Sequence, residues 1–447
     1  MTKTGYEQEL TQQLKEHGEA LASMGYLNGN VLVAYQDQIL MNQGFGHANF
    51  EHSISCTSKI KFRIGSITKS FTAAAVLLMQ EQGLLNVQDR VESHLPEYPN
   101  GNIITLHHLL THTSGIPCFT NLEDYKNTIR LPSTLEDTIA KFQDLPLEFE
   151  PGTQFNYSNS GYVLLSYLIE QVSGLTFAAF IQQSILGPLG MEDTGYDNHQ
   201  LILSHRASGY EMWGVAVNAE YIDMSIPSGA GGMYSTTEDL YKWDQALRFG
   251  RVLNPDSWSQ MITPFMEDYG YGICIMPNQI NGVDDTVIGH AGGINGFLSD
   301  YRHYVQADLT VIILSNLMSV IPSEISRHLT RMVLGEDLPI PKAPVVVELE
   351  ADLWQQYEGI YDLKEESGTF LLTMEQDKYY ITHDAWFKYE LLPTLCGLEK
   401  TTFVPWGVRG NIELSMDTEV AEDFIITVEM FGGIKKAMKR RNTGSKR

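Results

Sequence analysis

The sequence predicts an α+β domain built on an antiparallel, sequence-discontinuous sheet flanked by helices, followed by an all-β up-and-down barrel. Three observations carry this. Helix, hairpin and strand patterns open the chain, a helix-rich block interrupts them, and strand patterns plus a helix return afterwards. Residues 338–344, Leu-Pro-Ile-Pro-Lys-Ala-Pro, read as an extended linker. Beyond it come eight short β-like runs at near-even spacing, the pattern of a small barrel. A chain of 447 residues has length for two or three domains at roughly 150 residues each. The linker favours two, 1–337 and 347–447, joined by 338–346.

Each element has its own signal. Leu10, Leu14, Leu21 and Met24 recur at helical spacing, which predicts an opening helix ended by Gly29-Asn30. Runs 31–35 and 39–45 read as a hairpin turning at Gln36-Asp37-Gln38. A short strand at 62–64 leads through Gly65 into a helix over 67–82, with Phe71, Ala74, Ala75, Leu78 and Met79 on one face. From about 105 to 265 the chain reads as helices with irregular connections. These include a helical turn at 105–110 and apolar-periodic segments at 161–172 and 177–186. Ser133-x-x-Glu136 and Ser235-x-x-Glu238 are capping boxes, predicting helices that reach about Leu145 and Leu247. Strands return at 271–275, 286–288, 297–304 and 310–315, and a helix at 322–334 closes the domain. The barrel runs lie near 359–363, 369–374, 378–382, 386–392 (from Trp386), 401–405, 411–416, 424–430 and 434–439.

Charge excludes some functions. The net charge is −25, with 55 acidic against 30 basic residues. Phosphate backbones and anionic lipids are held by Lys and Arg, so nucleic acid and anionic membrane are poor partners. The distribution is uneven. Residues 435–447 carry seven basic groups (Lys435, Lys436, Lys439, Arg440, Arg441, Lys446, Arg447) and no acid, leaving the first 434 residues at −32. Flanking Ile434, Ala437 and Met438, these read as a solvated strand edge. Cys56, Cys118, Cys274 and Cys396 are widely spaced without a Cys-x-x-Cys pair, and read as reduced thiols. The polar opening MTKTGYEQELTQQLKEH lacks the apolar region of a signal peptide, and no apolar run approaches the roughly 20 residues of a membrane span. As given, the chain reads as cytoplasmic; removal of a leader would make it extracytoplasmic.

Three motifs could carry chemistry. In Ser66-Ile67-Thr68-Lys69, the serine precedes a helix and the lysine lies one turn on, where its amine can face the hydroxyl. Ser58-Lys59-Ile60-Lys61 has the same spacing but no helix of its own, and taken alone Ser66 reads as a plain helix N-cap. Tyr157-Ser158-Asn159 sits in a polar loop entering an apolar helix, where a phenol and an amide can be presented to a cleft. Tyr-x-Asn also begins at Tyr98, Tyr125 and Tyr196, so setting rather than spacing selects Tyr157. His290-Ala291-Gly292-Gly293 is the third, and its glycines allow close approach to backbone N–H groups that can bind an oxyanion. His107-His108 lacks companions for a metal site and reads as structural. His112 reads as a hydrogen-bonded scaffold residue. Cys118 approaches the cleft but has no assignable His or Asn partner.

Taken in order, the three motifs resemble the serine β-lactamase and penicillin-binding-protein superfamily, in particular its class C-like branch of esterases, D-aminopeptidases and low-molecular-weight penicillin-binding proteins. Leu109-Leu110-Thr111-His112-Thr113-Ser114-Gly115 and Gly229-Ala230-Gly231-Gly232-Met233-Tyr234-Ser235-Thr236 are similar to that branch as well. The resemblance covers about residues 20–335, and the barrel resembles the lipocalin-like appendage of some members, with Tyr357-Glu358-Gly359-Ile360-Tyr361 as its opening strand.

The resemblance implies a serine acyl-hydrolase. Ser66 would be the nucleophile. Lys69 and Tyr157 would share general-base work, and Asn159 would orient substrate and lysine. Backbone N–H groups of Ser66 and Gly293 would form the oxyanion hole, with His290 and Gly292 lining the substrate site. No cofactor and no metal is implied. His290 stands where many relatives carry lysine, so the substrate is expected to be a small ester, amide or D-amino-acid peptide, with β-lactams at most forming a slow covalent adduct. The alternatives are a D,D-carboxypeptidase or β-lactamase, and a binding protein of weak turnover. Assembly of identical chains is compatible with all three.

Overall fold

The computed structural model describes residues 3–280, 282–384, 387–397, 400–416, 424–430 and 433–440. Trp386 of the fourth barrel run and Arg441, Lys446 and Arg447 of the basic tail lie outside them.

Helix α1 (Lys3–Ser23) ends before Gly25, whose φ of +75° starts the turn into strand β1 (Gly29–Tyr35). Gly29 and Asn30 are therefore not the helix stop; they open the strand. A Cβ at Gly29 would run into the Leu314 carbonyl, so this glycine serves close strand pairing. β1 turns into β2 (Gln38–Phe45) through Gln36 and Asp37, both at positive φ, the geometry of a tight hairpin. Next come β3 (Phe62–Arg63) and α2 (Thr68–Glu81). Phe71, Ala73, Ala74, Ala75, Val76, Leu77 and Met79 of α2 are all buried, not one face alone, because the helical block covers its far side. Phe71 stacks on Trp243 at 4.1 Å between centroids.

The block contributes α3 (Asn159–Ser173), a strand pair β4 (Tyr210–Trp213) and β5 (Val215–Asn218), β6 (Met233–Ser235) and α4 (Thr237–Arg248). Both predicted capping boxes slip by one residue. The cap of α4 is Thr236, accepting from the Asp239 N–H, and that of the short helix Leu135–Ile139 is Thr134, accepting from Asp137. Ser235 cannot serve because it ends β6, with its hydroxyl bonded to Thr194. The predicted helix to Leu145 stops at Ile139.

Strands β7 (Cys274–Ile280), β8 (Val283–Ile294), β9 (Phe297–Tyr304) and β10 (Leu309–Ser315) join the hairpin in a six-stranded antiparallel sheet of order β7-β8-β9-β10-β1-β2. Alternation decides which face each residue serves. Leu32, Ala34, Ile312 and Leu314 pack toward the core that holds α2, while Val31, Val33, Val311 and Ile313 pack with α1 and α5 (Pro322–Val333). Residues 336–350 carry neither helix nor strand.

After α6 (Ala351–Tyr357) come eight strands, β11 (Gly359–Leu363), β12 (Thr369–Glu375), β13 (Lys378–His383), β14 (Phe387–Leu395), β15 (Lys400–Pro405), β16 (Gly410–Met416), β17 (Phe424–Met430) and β18 (Gly433–Lys439). Each pairs antiparallel with its sequence neighbour, and β11 pairs with β18, closing the barrel. Tyr361, Phe370, Leu372, Ile381, Leu391, Phe403, Ile412 and Ile426 fill the interior, and Trp354 and Tyr357 of α6 pack with them. The strand pair β4–β5, which sequence reasoning missed, leans on the barrel where Trp213 meets Lys388.

Candidate active site

Ser66 sits in a short 3-10 turn, Gly65–Ile67, between β3 and α2. It is not a helix cap, since Ile67 occupies that position and no side chain bonds there. Gly65, at φ +49°, could not carry a Cβ, which would lie 2.7 Å from the Gly293 nitrogen. A Cβ at Gly292 would run into the Ile64 carbonyl and the Ser299 hydroxyl. Glycines thus let β8 pass backbone-to-backbone beside Ser66. His290, Gly292 and Gly293 lie inside this long strand rather than at its edge, and the turn falls at Gly296, φ +79°. Ser66 and Gly293 line a cleft of about 230 Å³ with Asn159, Ala230, Gly231 and Asn295.

Lys69 is fully buried at the start of α2, three residues beyond Ser66. Its Nζ lies 3.1 Å from Ser66 Oγ, 2.8 Å from Asn159 Oδ1 and 2.8 Å from the Ala230 carbonyl. No carboxylate pairs with it among the described residues. Burial without a counter-charge lowers the ammonium to about 7, against an opposing effect of the nearby Cys118.

Asn159 begins α3. Its backbone N–H donates to Cys118 Sγ at 3.2 Å, and its Nδ2 faces Thr120 Oγ1 at 3.3 Å and Cys118 Sγ at 3.7 Å. These contacts turn the amide oxygen toward Lys69. The Tyr157 hydroxyl is buried, faces the Ser66 hydroxyl and has no other partner among the described residues. Burial raises this phenol well above its ordinary value, while the Ser66 hydroxyl acts in the opposite sense. Lys69 Nζ lies 4.7 Å from the Tyr157 ring centroid.

His112, at φ +57°, packs on the Tyr157 ring at 4.2 Å and accepts the Ser158 N–H at Nδ1, 3.1 Å away. It fixes the loop that carries Tyr157. His290 is buried, with its Nδ1 against the Ala291 carbonyl and its Nε2 3.0 Å from the Tyr269 hydroxyl. A carbonyl only accepts, so Nδ1 carries the proton and Nε2 accepts from Tyr269. Burial, then the Lys69 charge, lower His290 to about 4, so the ring is neutral. His107 bonds Tyr271 at 2.8 Å, and His108 Nδ1 accepts the Thr105 N–H at 3.2 Å; both are engaged in the scaffold. The structure therefore brings Ser66, Lys69, Tyr157, Asn159, His290, Gly292 and Gly293 together. Sequence reasoning missed Ala230, Tyr269 and the Cys118–Thr120 pair as their partners. A carbonyl has no residue signature, and Tyr269 precedes the motif by 21 positions.

A β-lactamase family model matches residues 10–334. Penicillin-binding protein 4* of Bacillus subtilis (strain 168) is 28% identical over 437 residues, covering 91% of this chain and 94% of that protein. An octameric penicillin-binding protein homologue from Pyrococcus abyssi is 26% identical with a TM-score of 0.64, covering 98% of this chain and 100% of that one. A D-stereospecific amidohydrolase from Streptomyces sp. is 25% identical with a TM-score of 0.59, covering 72% of this chain and 97% of that one.

Proposed function

Because this chain belongs to the β-lactamase family of serine acyl-hydrolases, we propose that Ser66 is its nucleophile and that it cleaves a small ester, amide or D-amino-acid peptide through an acyl-enzyme. The observation that carries this is the bonding of Lys69. As a neutral amine it has two N–H donors and one lone pair. Asn159 Oδ1 and the Ala230 carbonyl can only accept, and they take the two donors. The lone pair is left for the Ser66 O–H. Lys69 is the base that takes the serine proton as Oγ attacks the substrate carbonyl. Backbone N–H groups of Ser66 and Gly293 hold the oxyanion. Tyr157 stays protonated in the resting enzyme; as its hydroxyl gives its proton to the leaving group it receives the serine proton from Lys69, so the phenol and the neutral amine are both restored. Water then releases the acyl group.

The neutral His290 offers substrate no cation, and both its nitrogens are engaged within the protein. This favours esters, amides and peptides over efficient β-lactam turnover. The kinship with penicillin-binding proteins supports slow acylation by penicillins as a second outcome at the same serine. The test is steady-state hydrolysis of a nitrophenyl ester and a cephalosporin by wild type and Ser66→Ala. Ester turnover lost in the variant, with little cephalosporin turnover in wild type, is expected. Undiminished hydrolysis by Ser66→Ala contradicts the nucleophile, and rapid multiple-turnover cephalosporin hydrolysis contradicts the substrate class.

A further inference from the structure

A second cavity of about 250 Å³ borders the Ser66 cleft, shares the lining residues Asn295 and Ile222 with it and lies between Arg63, Arg206, Tyr221 and Phe297. Its charges do not balance. Lys61 is matched by Asp193 at 2.8 Å, and Glu220 on the rim by Arg130 at 3.0 Å. Asp223, on the neighbouring loop and outside the lining, keeps its charge and accepts hydrogen bonds from Ser225 and Tyr221. Arg63 and Arg206 then share the single buried carboxylate of Asp197, at 2.7 and 2.5 Å. Within the lining itself three cations, Lys61, Arg63 and Arg206, stand against two carboxylates, Asp197 and Glu220, and the Asp223 carboxylate lies outside it. Arg63 reaches Asp197 through Nε, and its Nη atoms hydrogen-bond no described residue. Arg206 Nε is buried and likewise without a partner among the described residues.

We propose that this cavity is a subsite for an anionic group on the acyl portion of the substrate, a carboxylate held by Arg63 and Arg206. The proposal rests on reading Ser66 as the nucleophile, and it names the substrate class that reading leaves open. Direction follows from the same reading. Tyr157, the proton donor to the leaving group, lies at the His290 end of β8, with 6.2 Å between ring centroids. The acyl portion therefore runs the other way, from Gly293 toward Asn295, which follows the end of β8 in the turn to β9. Asn295 Nδ2 donates to the Glu220 carbonyl at 3.0 Å and fixes the loop that walls the junction. Phe297 and Tyr221 flank the route, and the Arg63 guanidinium lies 5.7 Å from the Phe297 ring centroid. Guanidinium suits a carboxylate because its planar donors match two oxygens. The chain's net charge of −25 repels anions at long range, so any preference for one is local.

The test compares para-nitrophenyl hydrogen adipate with para-nitrophenyl hexanoate, its neutral counterpart of equal chain length, on the full chain. The readout is the ratio of their kcat/KM values, which is independent of the fraction of protein folded. Wild type should favour the adipate by about tenfold or more, the scale of a charge-assisted bond. Arg206→Gln should bring the ratio toward one, and Arg206→Lys, which keeps the charge, should retain a higher ratio than Arg206→Gln. A wild-type ratio near one, or a ratio that survives Arg206→Gln, overturns the subsite while Ser66→Ala inactivity leaves the nucleophile standing. Hydrolysis of both esters by Ser66→Ala overturns the underlying reading and the subsite with it.

Discussion

If Lys69 is the base, as proposed, it sets the pH dependence. Its ammonium, ordinarily at 10.5, is lowered to about 7 by burial, and only the neutral amine can take the Ser66 proton. Activity therefore rises with pH. The kcat/KM of a neutral ester should climb about tenfold per unit below pH 7 and level off above it. His290, lowered to about 4, adds no step in that range. A profile flat from about pH 5 to 9 would exclude Lys69 as the base. Stability moves in the same direction. The unfolded lysine holds its proton up to 10.5 and the folded one releases it near 7, so the folded state gains stability as pH rises between those values. At this scale the chemical side chains were legible, because Ser66, Lys69, Tyr157 and Asn159 fall in spaced motifs flanked by helix signals. Their holders were not. Ala230 acts through its carbonyl, and Tyr269 reaches His290 only through tertiary folding. Cys118 was visible near the cleft, but its bond to the Asn159 N–H depends on how two distant loops meet.

Among the elements, β8 matters most, since it brings both glycines and His290 to the Ser66 turn. Gly292 and Gly293 look alike in sequence and differ in space. A Cβ at Gly292 strikes the Ile64 carbonyl and Ser299, whereas one at Gly293 meets only Leu298 at 3.4 Å. Gly292→Ala should push β8 off the turn and lower kcat/KM by about a hundredfold, the scale of an ångström of misplacement in a catalytic group. Gly293→Ala keeps its N–H and should cost much less. Equal losses would show that β8 is not held by this contact. Element boundaries explain where the reading of the sequence slipped. Ser133-x-x-Glu136 and Ser235-x-x-Glu238 satisfy the capping pattern, yet Thr134 and Thr236 with Asp137 and Asp239 satisfy it one residue later. Two adjacent frames were available, and the position of β6 decided between them for Ser235. The strand pattern of β8 was seen only at 286–288 because Gly289, Gly292 and Gly293 interrupt the apolar alternation that marks a strand.

The whole molecule is joined by a core that crosses its parts. Leu10, Leu14 and Leu21 of α1, Ile325 and Leu329 of α5, and Trp354, Tyr357, Phe370 and Phe403 of the barrel belong to one buried cluster. The barrel strands and the Pro-rich segment were legible from period-two alternation and composition. That α6 packs into the barrel interior, and that the barrel shares its core with the sheet, depends on partners hundreds of residues apart. Trp354 tests this packing. It is 1% exposed, and its indole N–H is buried without a partner among the described residues. Trp354→Ala should cost about 3–5 kcal/mol by denaturant unfolding. Trp354→Phe, which also removes the orphan donor, should cost less than half of that. Equal costs would contradict the packing account. The central claim, an acyl-enzyme on Ser66, is tested most directly by the intact mass of the full chain quenched during turnover of a penicillin or a slow ester, followed by peptide mapping. One acyl equivalent on the peptide containing Ser66, absent in Ser66→Ala, is predicted. An adduct on another residue, or the same adduct persisting in Ser66→Ala, would contradict it.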